Sequence, residues 1–151
     1  MAMWRLYYHL VWATKERHPL ISPATERELY SYITGKADSL NSIVHAIGGT
    51  ENHIHLIVSI PPTQSIAEFV KNIKGSSSHY LNQTFRNPDK FGWQEGYGVF
   101  SLGQRQLEQA VPYVLNQKEH HLQNTVNSHL EQITHEDDRP ARWHPNPPEG
   151  S

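Results

Sequence analysis

Two histidines stand two residues apart in the apolar segment ENHIHLIVSI, residues 51–60. If this segment is a β-strand, the alternation of side chains puts His53 and His55 on one face, roughly 6–7 Å apart. Two imidazoles at that spacing can converge on one metal ion or on one phosphate. Such pairs also occur on half-solvated sheet faces without a function, so the pair alone does not define a chemistry.

Three hydrolytic chemistries use a histidine pair of this kind, and each requires a residue that the pattern lacks. A zinc hydrolase needs a third His, Asp or Glu ligand and a general base. A histidine-triad nucleotide hydrolase repeats the alternation once more, where this chain has Ile57. A two-histidine phosphoesterase needs a second strand with a His-X-Ser/Thr motif, and the sequence contains none.

A tyrosine and a glutamine near residue 115 supply the parts of a different reaction. Tyr113 and Gln117 are four residues apart in YVLNQKEHH, so on a helix they share one face, about one turn apart. Tyr113 could attack a phosphodiester, and Gln117 could add a neutral oxygen ligand beside the histidines. Each residue alone fits a structural role, and only the combination indicates polynucleotide transfer.

The surrounding segments predict an α+β domain in the order β-α-β-β-α-β-α, most simply a ferredoxin-like antiparallel sheet with helices packed on it. Aromatic and β-branched runs predict strands at residues 4–14, 41–49, 53–60 and 97–103. Apolar periodicity predicts helices at residues 22–40, 65–85 and 104–123. Ser22 and Ser65 are expected N-caps, and Pro112 is expected to kink or restart the last helix.

Composition limits the class of protein further. The chain has 151 residues, no cysteine and a formal net charge of −2, so disulfides, thiolate zinc sites and a cysteine nucleophile are excluded. No apolar run approaches the roughly 20 residues of a membrane span, and we expect a cytoplasmic protein. We expect one domain over residues 1–130 and a polar, Pro-rich tail over 131–151, which carries five of the fifteen acidic residues. The remaining body is close to neutral, so charge does not exclude a nucleic-acid partner.

The chain resembles the single-tyrosine HUH transposases of small insertion sequences, a family that includes the REP-associated tyrosine transposases. The matching segments are YYHLVWATKERHPLI, GGTENHIHLIVSIPP, SIAEFVKNIKGSSSHYL, FGWQEGYGVFSLG and VPYVLNQKEHH. They cover about residues 4–123, and the most specific part is the His-Ile-His strand followed by the Tyr-X3-Gln helix. The acidic, Pro-rich tail lies outside the pattern.

This resemblance implies a DNA transposase that binds DNA hairpins and cleaves and rejoins single-stranded DNA through a 5′-phosphotyrosine intermediate. It implies Tyr113 as the catalytic nucleophile. It implies His53, His55 and Gln117 as ligands of a divalent metal, Mg²⁺ or Mn²⁺. Members of the family are homodimers, and in several the tyrosine helix serves the partner's histidines, so we expect a homodimer with active sites shared between chains.

Further residues are candidates for DNA contact. Lys71 and Lys74 are spaced i, i+3 in the second predicted helix and precede GSSS, so we predict that both bind DNA phosphates. Trp93 could stack on an unpaired base, although a core role fits it equally well. His120 and His121 could approach the active site from the last helix.

Two other functions stay open at the level of sequence. One is a domesticated protein that binds DNA hairpins and no longer transposes. The other is a metal-dependent phosphohydrolase that uses water as the nucleophile. A covalent adduct between protein and DNA would exclude both.

Overall fold

The computed structural model describes residues 3–86 and 89–118. The tail predicted over 131–151 and the candidates His120 and His121 lie outside the described residues. The strands are β1 (Tyr7–Ala13), β2 (Ile43–Gly49), β3 (His53–Ser59) and β4 (Gly98–Leu102). The α-helices are α1 (Pro23–Ser39), α2 (Ile66–Thr84) and α3 (Gln104–Leu115), and a short 3-10 helix at Lys15–Arg17 follows β1.

The four strands form one antiparallel sheet in the order β2-β3-β1-β4. This order, with the helices packed on the sheet, confirms the predicted ferredoxin-like α+β architecture. Its central pair is β1 with β3, in a register that sets Val11 opposite His55 and Ala13 opposite His53. Since alternate residues of β1 share a face, His9 lies on the same face of the sheet as both histidines of β3.

The two predicted helix starts are confirmed by their capping bonds. Ser22 Oγ accepts a hydrogen bond of 3.2 Å from the Thr25 backbone N–H, and Pro23 is the first helical residue. Ser65 Oγ accepts one of 3.0 Å from the Glu68 backbone N–H. Each cap satisfies an amide that has no partner inside its own helix.

The main core lies between one sheet face and the helices α1 and α2. It contains Leu10, Trp12, Ile54, Leu56, Val58, Leu29, Ile33, Phe69, Val70 and Ile73. Trp93 belongs to this side: its ring contacts Trp12 edge-on at 5.9 Å between centroids, and its indole N–H donates to Ser77 Oγ at 3.0 Å. The core role of Trp93 is therefore the one observed.

Helix α3 covers the opposite face of the sheet and makes a smaller second core. Ala110 and Val114 pack there against Ala46 and Ile57. Of the kink or restart predicted at Pro112, the restart is wrong, because α3 runs through the proline from Gln104 to Leu115. The helix loses the hydrogen bond that a residue with an N–H would make at this position, while its apolar face stays anchored on the sheet, so packing outweighs the local preference of proline.

A membrane-spanning helix must be both long and apolar, and the helices of the described segments are not. None of them combines enough length with enough apolar character to span a bilayer.

Candidate active site

The two histidines of β3 lie side by side in a buried position. Their ring centroids are 5.2 Å apart with the planes at 68°, and the side chains are 3% and 0% exposed for His53 and His55. This confirms that they share one face of the strand. The half-solvated alternative is wrong, because all seven residues of β3 are buried beneath the packed helices.

His53 is oriented by the turn that joins β2 to β3. Its Nδ1 lies 2.9 Å from Thr50 Oγ1 and 2.9 Å from Asn52 Oδ1. An amide oxygen only accepts, so His53 Nδ1 carries the proton and donates it. Thr50 Oγ1 donates to the same Asn52 oxygen at 3.1 Å. This bond holds both oxygen atoms in position to accept from the His53 N–H. The ring nitrogen left with a lone pair for a ligand is Nε2.

His55 is held from the neighbouring strand instead. Its Nδ1 lies 2.7 Å from Nε2 of His9 on β1, and the two rings are 4.9 Å apart. His9 is fully buried. His9 was not among the residues predicted from the sequence. The alternation in YYHLVWA places it on one face with Val11, but only the pairing of β1 with β3 brings it beside His55.

Tyr113 reaches this cluster from α3. Its ring is nearly perpendicular to that of His55, with centroids 6.1 Å apart and planes at 78°. Tyr113 is half-buried, so part of the ring stays accessible to a substrate. The structure therefore brings the predicted nucleophile and the predicted histidines together within one chain.

Gln117 follows Tyr113 by one turn and is 1% exposed. Its Nε2 donates to the Tyr113 carbonyl oxygen at 3.3 Å, a long bond that ties the two residues together beyond the end of α3. Its Oε1 is buried and has no hydrogen-bond partner within residues 3–86 and 89–118. A buried amide oxygen without a donor is unfavourable unless it meets a ligand.

The close approach of α3 to the sheet depends on a glycine. A Cβ built on Gly48 of β2 would overlap the backbone carbonyl oxygen of Val114. Val114 is the residue after Tyr113, so the bare backbone at position 48 sets how near the tyrosine comes to β3.

The donor set fits the predicted divalent metal. Among the described residues no group of three or more His, Cys, Asp or Glu side chains is arranged as a metal site. The candidate set consists instead of two imidazoles and one amide oxygen. The buried Oε1 of Gln117, which has no hydrogen-bond partner among the described residues, is the candidate for the oxygen ligand. These three ligands are neutral, so they would leave the charge of the ion to an anionic substrate. Imidazole nitrogens favour Mn²⁺ over Mg²⁺.

The two predicted DNA-binding lysines lie elsewhere on the molecule. Both belong to α2, which packs against the opposite face of the sheet from α3. Lys71 is exposed. Lys74 is half-buried, and its Nζ donates to the carbonyl oxygens of Gln94 at 2.7 Å and Gly96 at 2.9 Å. The structure does not bring either lysine beside the histidines, and their role as phosphate contacts stays a prediction.

Comparison with known proteins gives consistent matches in sequence. A family model described as "Transposase IS200 like" matches residues 2–117. The ISDra2 transposase TnpA of Deinococcus radiodurans is 25% identical over 120 residues, which cover 76% of this chain and 86% of that protein. The transposase for insertion sequence element IS200 of Salmonella typhimurium is 28% identical over 105 residues, which cover 66% of this chain and 69% of that protein.

Two solved structures have a similar fold. One is a protein from Deinococcus radiodurans R1 assigned as a transposase; it has a TM-score of 0.63 and 26% identity, over 77% of this chain and 93% of that chain. The other is a REP-associated tyrosine transposase bound to a REP hairpin, with a TM-score of 0.57 and 14% identity, over 76% of this chain and 70% of that chain. At that identity the second match shows a common fold alone.

Proposed function

Because the chain belongs to the IS200-like transposase family, we propose that it cleaves and rejoins single-stranded DNA through a 5′-phosphotyrosine intermediate. Family membership makes it an enzyme of DNA transposition, and the proposal concerns how it acts. The observation that carries it is the nearly perpendicular approach of the Tyr113 ring to that of His55, at 6.1 Å between ring centroids.

In the proposed reaction the Tyr113 hydroxyl attacks the phosphorus of one phosphodiester. The bond from the tyrosine oxygen to phosphorus forms, the bond from phosphorus to the 3′ oxygen breaks, and the phenolic proton leaves. The 3′ oxygen gains a proton and becomes a free hydroxyl, while the 5′ phosphate stays on the protein. Attack by a 3′ hydroxyl on this ester reverses the step, so strands are rejoined without an external energy source.

The phenol needs help, because a free tyrosine titrates near pH 10 and is a weak nucleophile at neutral pH. A divalent ion, Mg²⁺ or Mn²⁺, held by His53, His55 and Gln117 would offset charge that develops on the scissile phosphate. The Thr50 and Asn52 acceptors keep His53 in the tautomer that offers Nε2. The bond from Gln117 Nε2 to the Tyr113 carbonyl ties the amide to the nucleophile.

The proposed substrate is single-stranded DNA with a hairpin. The solved REP-associated tyrosine transposase with this fold is bound to a REP hairpin, and that fold is shared here. Lys71 and Lys74 are the proposed phosphate contacts. A positively charged side chain on α2 would act at a distance from the cleavage site, so it would contribute to affinity and not to the chemical step.

We propose in addition a homodimer whose active sites are shared between chains. The support is the resemblance to a dimeric family and the architecture of α3. This helix packs on the sheet through the small cluster of Ala46, Ile57, Ala110 and Val114, and it follows β4 directly after Gly103. Because the sheet of a partner chain is identical, the helix can make the same contacts on it, as in domain swapping.

The test uses a labelled DNA hairpin with single-stranded flanks and Mn²⁺. The proposal predicts a covalent complex that survives denaturing electrophoresis and that mass spectrometry assigns to the peptide containing Tyr113. Retention of the hairpin without any adduct or cleavage would instead indicate a domesticated binding protein. Cleavage without an adduct would indicate a phosphohydrolase that uses water.

A further inference from the structure

The contact between His9 and His55 joins two strands inside the sheet. His9 lies opposite Ile57 in the register of β1 with β3, which makes it a diagonal neighbour of His55 on the same face. The bond between His9 Nε2 and His55 Nδ1 is 2.7 Å, and both side chains are fully buried. Of these two residues, only His55 belongs to the proposed metal site.

We infer that His9 is a positioning residue, which fixes the tautomer and the ring orientation of His55 so that His55 presents Nε2 to the divalent metal. The inference rests on the proposed function, because it concerns the metal site of that reaction. His9 thus joins the three proposed ligands as a fourth residue of the site. It acts through His55 and does not contact the metal or the DNA.

The tautomers of His9 and His55 are linked through the hydrogen bond between the two rings. A short bond between two imidazole nitrogens holds one proton, so one ring donates and the other accepts. If His55 binds a metal through Nε2, its single proton must lie on Nδ1, and His55 becomes the donor. His9 Nε2 is then the acceptor, and the proton of neutral His9 lies on its Nδ1. Metal binding at His55 therefore selects one tautomer of each ring.

The surroundings of His9 hold the two rings in the arrangement that selects these tautomers. Its ring packs against His55 at 4.9 Å and lies 6.1 Å from the ring of Phe100 on β4, between centroids. Three strands thus hold the pair, and its burial keeps solvent from replacing the acceptor. Removal of the acceptor would leave the His55 N–H buried without that bond, which is unfavourable.

The two proposed histidine ligands are supported in different ways. His53 donates to oxygens of the adjoining turn, from Thr50 and Asn52, whereas His55 is bonded to a side chain from another strand. Metal-ligating histidines commonly donate their second N–H to a fixed acceptor, and loss of that acceptor lowers metal affinity about 10- to 100-fold. The same loss is expected for His9.

The first experiment measures Mn²⁺ binding without DNA, by the relaxation enhancement of water protons. His9→Phe keeps an aromatic ring and removes the acceptor; we expect affinity to fall at least about 10-fold. His9→Gln supplies a carbonyl oxygen as acceptor and is expected to restore most of the affinity. The control is His45→Phe on β2, where an exposed strand histidine is paired with Ser59 Oγ at 2.7 Å; its affinity should equal that of the parent protein.

A folded His9→Phe variant that binds Mn²⁺ as tightly as the parent would overturn the inference. So would equal losses in His9→Phe and His9→Gln, because a general packing defect and not a missing acceptor would then be the cause. Circular dichroism and thermal unfolding establish that each variant is folded.

A second measurement needs no variant, in case His9→Phe does not fold. Long-range ¹H–¹⁵N correlation spectra of the parent protein saturated with Mg²⁺ report which nitrogen of each ring carries the proton. We expect Nδ1 to be protonated in both His9 and His55. A proton on Nε2 of His9 would exclude it as the acceptor and overturn the inference.

Failure of the proposed metal site gives a different result. If the parent protein does not bind Mn²⁺, or if His55→Ala binds it equally well, the site itself is wrong and the inference falls with it. If the parent binds, His55→Ala is weakened and His9→Phe is not, only the role of His9 is wrong.

Discussion

The backbone carbonyl of Val114 lies directly over Gly48, so closely that a Cβ at position 48 would overlap it. This contact joins α3 to β2, and Val114 is the neighbour of the proposed nucleophile. The height of α3 above the sheet is thus set by the absence of a side chain. The distance between Tyr113 and His55 depends on a position that takes no part in the chemistry.

Gly48→Ala should therefore lift α3 from the sheet. We expect the free energy of unfolding to fall by about 1–3 kcal/mol, as for other overpacked sites, and adduct formation to fall with it. Urea unfolding and the hairpin assay measure the two effects. Gly35→Ala on α1 is the matched control, because a Cβ there meets nothing within 4 Å, and it should be neutral or stabilising. Equal behaviour of the two variants would refute the contact.

Tyr113→Phe should abolish cleavage and adduct formation while hairpin binding stays close to that of the parent protein. Only the nucleophilic oxygen is lost, and the ring still packs beside His55. Gel-shift titration measures binding, and denaturing electrophoresis measures the adduct. Tyr32→Phe, in a tyrosine of α1 that stacks on Tyr80, is the control and should cleave normally. Cleavage by Tyr113→Phe at a comparable rate would remove Tyr113 from the mechanism.

His53→Ala and His55→Ala should each lose metal-dependent cleavage, because each removes one of three proposed ligands. Both rings are buried, so each variant should also be less stable, by about 1–3 kcal/mol. The fold should survive, since the main core lies on the other face of the sheet. Circular dichroism and a Mn²⁺ titration of cleavage separate the two effects. If both variants unfold, the histidines serve the structure first.

Much of the fold was predictable because local signals agree with the tertiary structure. Alternation in HIHLIVS and the capping serines Ser22 and Ser65 gave the strand faces and the helix starts, and these are confirmed. The alternation also separates Ile54, Leu56 and Val58 from the two histidines, which is how the sheet divides its two cores.

The features that the sequence did not predict depend on contacts between residues that are far apart in the chain. His9 is significant only because β1 and β3 pair in a register that sets it beside His55, 46 residues away. The Lys74 ammonium is engaged by carbonyls of Gln94 and Gly96, 20 and 22 residues further on. Pro112 was expected to kink or restart the last helix, and α3 continues through it while packed on the sheet. Neither register nor docking is encoded in a local pattern.

The protein should be a homodimer at micromolar concentration, as proposed above. Large apolar side chains remain exposed on the described surface: Ile43 on β2 at 58% and Leu115 on α3 at 60%. Light scattering coupled to size-exclusion chromatography should give about twice the chain mass of 17.4 kDa. Ile43→Lys or Leu115→Lys should shift the equilibrium towards monomer if these residues lie in the interface. A monomeric mass for the parent protein would contradict the shared site.

The last prediction concerns which chain supplies Tyr113 and Gln117. The hydrogen bond from Gln117 to the Tyr113 carbonyl makes them move as one unit, so the histidines that receive the nucleophile also receive the amide ligand. In the single chain described here, that unit packs on its own sheet. An exchanged helix would make the same contacts with the sheet of the partner, through the same close approach to Gly48.

Mixing a Tyr113→Phe chain with a chain carrying His53→Ala and His55→Ala distinguishes the two arrangements. If α3 serves the partner, each heterodimer has one site with every defect and one intact site, so adduct formation returns. If α3 serves its own chain, each site carries one lethal defect. We expect rescue, to about half the activity of the parent homodimer, because one of the two sites is intact. The two chains carry different tags so that heterodimers can be purified, and each mutant homodimer is the control. A purified heterodimer without activity would establish that each chain completes its own site.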